Sequence, residues 1–110
     1  MILHDRVTVV KSGGTNPQTG DPLPSTDVGP LPAAVQPLST DEKALLGTTV
    51  VTSLLCVLGP VLPTALAGGI TSADKVEHDG ITWDVDGDVE THRLNGRVHH
   101  LELTLVRHQG

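Results

Sequence analysis

The chain has 110 residues, with Gly 12, Pro 8, Cys 1, Trp 1 and neither Tyr nor Phe. Asp and Glu number 13 against 7 Lys and Arg, a net charge of −6. That balance excludes binding to nucleic acid by phosphate neutralisation, which needs clustered cations. The length supports one modest core, and Val, Leu, Ile and Ala must fill it with less buried area than aromatic rings would give, so assembly with other subunits is expected to add stability.

Residues 2–10 read as a first strand, with Val7 and Val9 on one face and Arg6, Thr8 and Val10 on the other. The start has no basic segment followed by a long apolar run, so a signal peptide is not expected. Residues 11–32 change to Gly, Pro, Ser, Thr, Asn and Asp without periodicity, which predicts a long extended, flexible loop. Residues 33–38 form a short strand stopped by Pro37. Ser39 or Thr40 then caps one or two turns of helix over 42–46, closed by Gly47.

Residues 48–58 are rich in β-branched side chains and read as a long strand. Val50-Val51 and Leu54-Leu55 weaken its alternation, so both of its faces are expected to be covered. No charge occurs over 44–73, long enough on paper to span a bilayer. Gly47, Gly59, Pro60, Pro63, Gly68 and Gly69 break that stretch, and a membrane helix is not expected. The lone Cys56 lies in this apolar run and reads as a buried structural thiol.

The C-terminal third carries the clearest pattern. Val76 and His78 alternate ahead of Asp79-Gly80, and Ile81, Trp83 and Val85 share a face. Asp86-Gly87-Asp88 reads as a turn, and residues 98–106 place Leu101, Leu103 and Leu105 on one side. The fold class that follows is all-β: a small antiparallel barrel or sandwich forming one domain over 1–110. It carries the long Gly/Pro-rich loop between its first two strands and at most one short helical turn.

Chemistry is sparse. The acidic run 84–90 has Gly87 at its fourth position between strands, so it fails the spacing of a helix-flanked calcium loop. His99 and His100 are neighbours in a strand and are expected to point to opposite faces. His78, His92 and His108 have no metal-ligand spacing, and no metal or cofactor is expected. Gly13-Gly14 lacks the Lys-Ser or Lys-Thr of a phosphate loop, and no nucleophile elbow or carboxylate pair stands out, so an enzyme is not expected. Trp83 reads as the largest core residue, with an interface role as the alternative.

In the order of its features the chain resembles the head-completion, or head-to-tail stopper, proteins of long-tailed bacteriophages. The resemblance runs from His4-Asp5-Arg6-Val7-Thr8-Val9 through the Gly/Pro-rich loop to residues 34–42 and the long central strand. It continues with Asp74-Lys75-Val76, residues 80–87 and a last strand over 99–105. The resemblance implies a non-enzymatic virion protein at the head–tail junction, assembled in the host bacterial cytoplasm. Its copies would form a homo-oligomeric ring, twelve-fold or six-fold, closing the DNA channel after packaging. A portal adaptor would lie above, and the tail terminator or tail tube below. DNA would pass without sequence-specific binding, and no membrane is involved.

On this reading Lys11, Asn16, Gln18, Asp21 and Asp27 of the loop face the channel or a partner, the acidic ones keeping DNA from adhering. Trp83, Glu42 and Arg107 would lie between subunits. The alternatives are another neck or tail component such as a tail terminator, or a small binding module unrelated to phage. A metal-dependent enzyme is a distant third.

Overall fold

Alternation of apolar and polar residues is realised as six strands: β1 Asp5–Lys11, β2 Thr26–Thr40, β3 Val50–Leu58, β4 Lys75–His78, β5 Ile81–Leu94 and β6 Arg97–Gln109. In the computed structural model, which describes residues 3–40 and 50–109, they close into an antiparallel barrel in the order β1-β2-β3-β6-β5-β4. The last seam, β4 against β1, pairs Thr8 with Glu77 and Val10 with Lys75. Closure gives every strand a neighbour on each side over part of its length.

The inward side chains are the ones the period-two pattern selects. Val7, Val9, Val76, Trp83, Val85, Leu103 and Leu105 are buried in one cluster with Leu54, Cys56 and Leu58. Val57 is also buried but stands outside that cluster, so the weak alternation of β3 reflects apolar residues on both of its faces. Burial pushes the Cys56 thiol up to about 12, with the Asp5 carboxylate adding to the shift. A thiol held protonated in this way is unreactive.

Two turns set the hairpins. Asp79 and Gly80 have φ of 53° and 76°, and Asn95 and Gly96 have 54° and 77°. Positive φ at both central positions is what a two-residue type I′ turn requires. By contrast, Asp86-Gly87-Asp88 is not a turn, as the sequence suggested. β5 runs through it, and the register slips between Asp86 and Glu90. Gly87, at φ 76°, sits within a bulge that bends the strand rather than ending it.

β2 corrects two further expectations. The first loop is shorter than 11–32, because Lys11 ends β1 and Thr26 starts β2. Nor does Pro37 stop the second strand, which continues to Thr40. β2 pairs with β1 over residues 26–33 and with β3 over residues 33–40. Each of its prolines therefore needs a ladder on one side only, and the register slips beside Gly29-Pro30, a cis peptide, and beside Pro37. Prolines are tolerated at such positions. The helical turn expected over 42–46 lies outside the described residues.

The proline-broken stretch after β3 plugs one end of the barrel. A short 3₁₀ turn, Thr64–Leu66, buries Leu66, and Ile70 follows it into the core. Asp74 locks this plug to β1. Its carboxylate is 1% exposed and accepts from the Ser12 and Thr71 amides and from Lys11 Nζ, each at 2.8 Å. Lys11 Nζ also donates to the Gly69 carbonyl at 2.8 Å. Among the described residues no helix is long and apolar enough to cross a membrane. From Val50 onward the uncharged stretch is instead β3 and the plug.

Burial alone would raise the Asp74 carboxyl, but the hydrogen bonds from Lys11, Thr71 and Ser12 and the Lys11 charge outweigh it and hold it below the usual range. A carboxyl lowered on folding contributes its full stability above the unfolded value of about 3.9 and loses it as pH falls through the folded value. Asp74→Ala removes the charge partner of Lys11, leaves the Ser12 and Thr71 amides without an acceptor and is expected to cost about 3 kcal/mol in urea unfolding at pH 7. The gap between wild type and variant should narrow below about pH 4. A constant gap down to pH 2 would contradict this assignment.

Candidate functional site

Away from the plug, inward-facing positions of the described residues surround the other mouth of the barrel. Val35 and Pro37 of β2, Leu54 of β3, His78 of β4, Ile81 and Trp83 of β5 and Arg107 of β6 line a groove of about 410 Å³. The Trp83 ring forms its floor at 6% exposure. Its indole Nε1 is the one buried side-chain polar atom among the described residues without a hydrogen-bond partner. A buried donor left unmade costs on the order of 1–3 kcal/mol. On the rim, Asp5 accepts from the Val35 amide at 2.8 Å, and His78 Nδ1 lies 3.3 Å from the Arg6 carbonyl. Trp83 and Arg107 thus share one surface, while Glu42 lies outside the described residues.

The loop between β1 and β2, residues 12–25, is folded on itself. Thr15 bridges to Pro22, and the Leu23 amide donates to the Gly14 carbonyl at 2.9 Å. Asn16 organises the tip. Its amide donates to the Asp21 carbonyl at 2.7 Å, its carbonyl accepts from Gly20 at 2.7 Å, and its side chain accepts from the Gln18 amide at 2.8 Å. Asn16, Gln18 and Asp21 therefore do share a projecting arm, with Gln18 and Asp21 exposed. Lys11 does not belong to it, being the partner of Asp74 inside β1. Asp27 is exposed in β2, opposite Val10.

A third feature is the β5–β6 ribbon beyond the bulge. β4 leaves β5 after Asp84, and β3 pairs with β6 only from Leu101 onward, so residues 90–100 have no third strand and residues 92–100 pair only with each other. Val89, Thr91, Arg93, Val98 and Leu101 form one wall of a groove of about 560 Å³ against the plug. The opposite face carries Glu90, His92, His100 and Glu102. His92 stands opposite His100 and Glu90 opposite Glu102. The two imidazoles stack with centroids 4.7 Å apart and 6° between planes.

This face corrects the expectation about the histidines. Arg93 pairs with Val98 but His92 with His100, which makes His99 the extra residue of a bulge. Bulges re-aim side chains, and His99 does not point away from His100. Their Nδ1 atoms are 2.8 Å apart, with the rings edge to face at 5.1 Å. Glu90-x-His92 and His100-x-Glu102 carry the period-two signal of a shared face. A regular ladder counted outward from Asn95-Gly96 would set Glu90 against Leu101, and so hides the cluster. The side chain of His108 lies outside the described ones.

Scanned against protein-family models, curated proteins and solved structures, the chain has no match. The mouth, the arm and the ribbon are thus read from this chain alone.

The arm's neck makes one strict demand. A Cβ at Gly13 would meet the Pro24 carbonyl oxygen at 2.2 Å. Gly13→Ala is expected to open the neck and speed amide exchange at Leu23 and Asn16 by about ten-fold or more, equivalent to about 1.4 kcal/mol. Exchange at Val9 in the barrel should stay as in wild type. Unchanged exchange at Leu23 would refute the clamp.

Proposed function

We propose that the chain is a structural, non-enzymatic subunit of a phage neck, assembling head-to-tail into a ring that closes the DNA channel and receives the tail. The observation that carries this is the barrel mouth: a groove lined mainly by the apolar side chains of Val35, Pro37, Leu54, Ile81 and Trp83. A neighbouring copy that enters the groove covers Ile81, Leu54 and Val35. Heterologous contacts of this kind close into rings when the rotation allows it. The sequence resemblance and the closed six-stranded barrel agree with that reading.

The self-bonded arm suits an adaptor-facing or channel-facing part. It is exposed, it presents Asp21, and its neighbour in β2 is the exposed Asp27. Fixed negative charge along a passage repels phosphate and lets DNA slide. Leu23 and Leu38 are exposed apolar side chains on the arm and on β2, available to tail or adaptor partners. The portal adaptor above and the tail below complete the assembly on this proposal, placing the protein in the virion.

Light scattering after size exclusion, with negative-stain images, tests it. The wild-type chain should form rings. Pro37→Arg, which sets a long charged side chain in the apolar part of the groove, should reduce the ring fraction about ten-fold without lowering the melting temperature. A chain that stays monomeric at all concentrations, or rings that tolerate the substitution, would overturn the proposal.

A further inference from the structure

We propose that His92, His100 and Glu102, with Glu90 beside them, bind one divalent transition-metal ion of the zinc class and staple the β5–β6 ribbon. His92, His100 and Glu102 are the only group of three or more His, Cys, Asp or Glu side chains among the described residues whose ligand atoms converge, all within 4.8 Å. The inference stands on the geometry of one chain and survives if the ring does not.

The distances fit. Bonds of about 2.0–2.1 Å in a tetrahedron separate neighbouring ligand atoms by roughly 3.3–3.4 Å. His92 Nε2 is 3.3 Å from Glu102 Oε2 and 3.2 Å from Glu90 Oε2, and His100 Nε2 is 2.7 Å from Glu102 Oε2. Small rotations of side chains on an exposed ribbon bring all of these into range. Imidazole with carboxylate selects zinc and its neighbours, whereas calcium and magnesium take oxygen ligands alone.

A second observation points to a cation independently of those distances. The register sets Glu90 directly opposite Glu102. Like charges facing each other across strands destabilise the pair, and an ion held between the two carboxylates removes that repulsion. The ribbon also needs support, because residues 90–100 have no third strand and a lone hairpin is marginal in water.

His99 completes the arrangement as a positioning residue. A histidine that ligates through Nε2 commonly donates its Nδ1–H to an acceptor, which fixes the tautomer. The His100 Nδ1 faces His99 Nδ1 at 2.8 Å. With His100 donating there, its Nε2 lone pair faces the ion, and the proton that would otherwise join Nε2 to Glu102 leaves to solvent.

Full-length protein stripped with EDTA and titrated with zinc in a calorimeter should bind one ion per chain and melt at a higher temperature. Cobalt at the same site should give the visible absorption of a tetrahedral ion. His92→Ala and Glu102→Gln should abolish saturable binding, and His99→Ala should weaken it about 10–100-fold. His78→Ala should change nothing. The metal-free melting temperature of each variant reports folding, and Glu102→Gln, the smallest change in shape, decides if the histidine variants misfold. No zinc binding by wild type, or binding that His92→Ala and Glu102→Gln leave unchanged, would overturn the proposal.

Discussion

One buried carboxylate holds this fold together. Asp74 joins the end of β1 to the segment that plugs the barrel, accepting from Lys11, Ser12 and Thr71 at 2.8 Å each. Without that tie Leu66 and Ile70 would have no fixed place, and a six-stranded barrel with a single aromatic side chain has little else to fill its end. Charge, placed where water cannot reach it and fully hydrogen-bonded, does here what bulky rings do in other small cores. Among the described residues the opposite end of the barrel carries no such device. There the lining narrows to Trp83, whose N–H is left unmade.

That asymmetry connects fold to proposed function. A barrel plugged at one end, with a groove among the described residues at the other, has two unlike ends, the polarity a cyclic heterologous assembly uses. The arm over residues 12–25 and the ribbon over residues 90–100 extend the same shell without adding to its core. Each is stabilised locally, the arm by its own turns around Asn16 and the ribbon, on our inference, by an ion.

The sequence was informative where period two is undisturbed. Val7 and Val9, Trp83 and Val85, and Leu103 and Leu105 are buried as their spacing requires, and both I′ turns stand at their Asp-Gly and Asn-Gly dipeptides. It misled where the ladder slips. β2 tolerates Pro32 and Pro37 because each lies in a half with one neighbouring strand, a fact of topology that no local pattern carries. Gly87 looked like a turn and bends a strand instead. The His/Glu face depends on a single extra residue, His99, which shifts the pairing by one. Trp83 and Arg107 meet at the mouth, but nothing in their spacing announces a common surface.

The central claim is that another copy of the chain covers the mouth over Trp83. Because Trp83 is the sole tryptophan, deuterium exchange of its indole N–H can be followed against protein concentration without ambiguity. The account predicts that this N–H, already buried in the monomer, exchanges still more slowly as the fraction of assembled rings rises, because a covered mouth opens less often. Exchange that is the same in monomer and ring would contradict it.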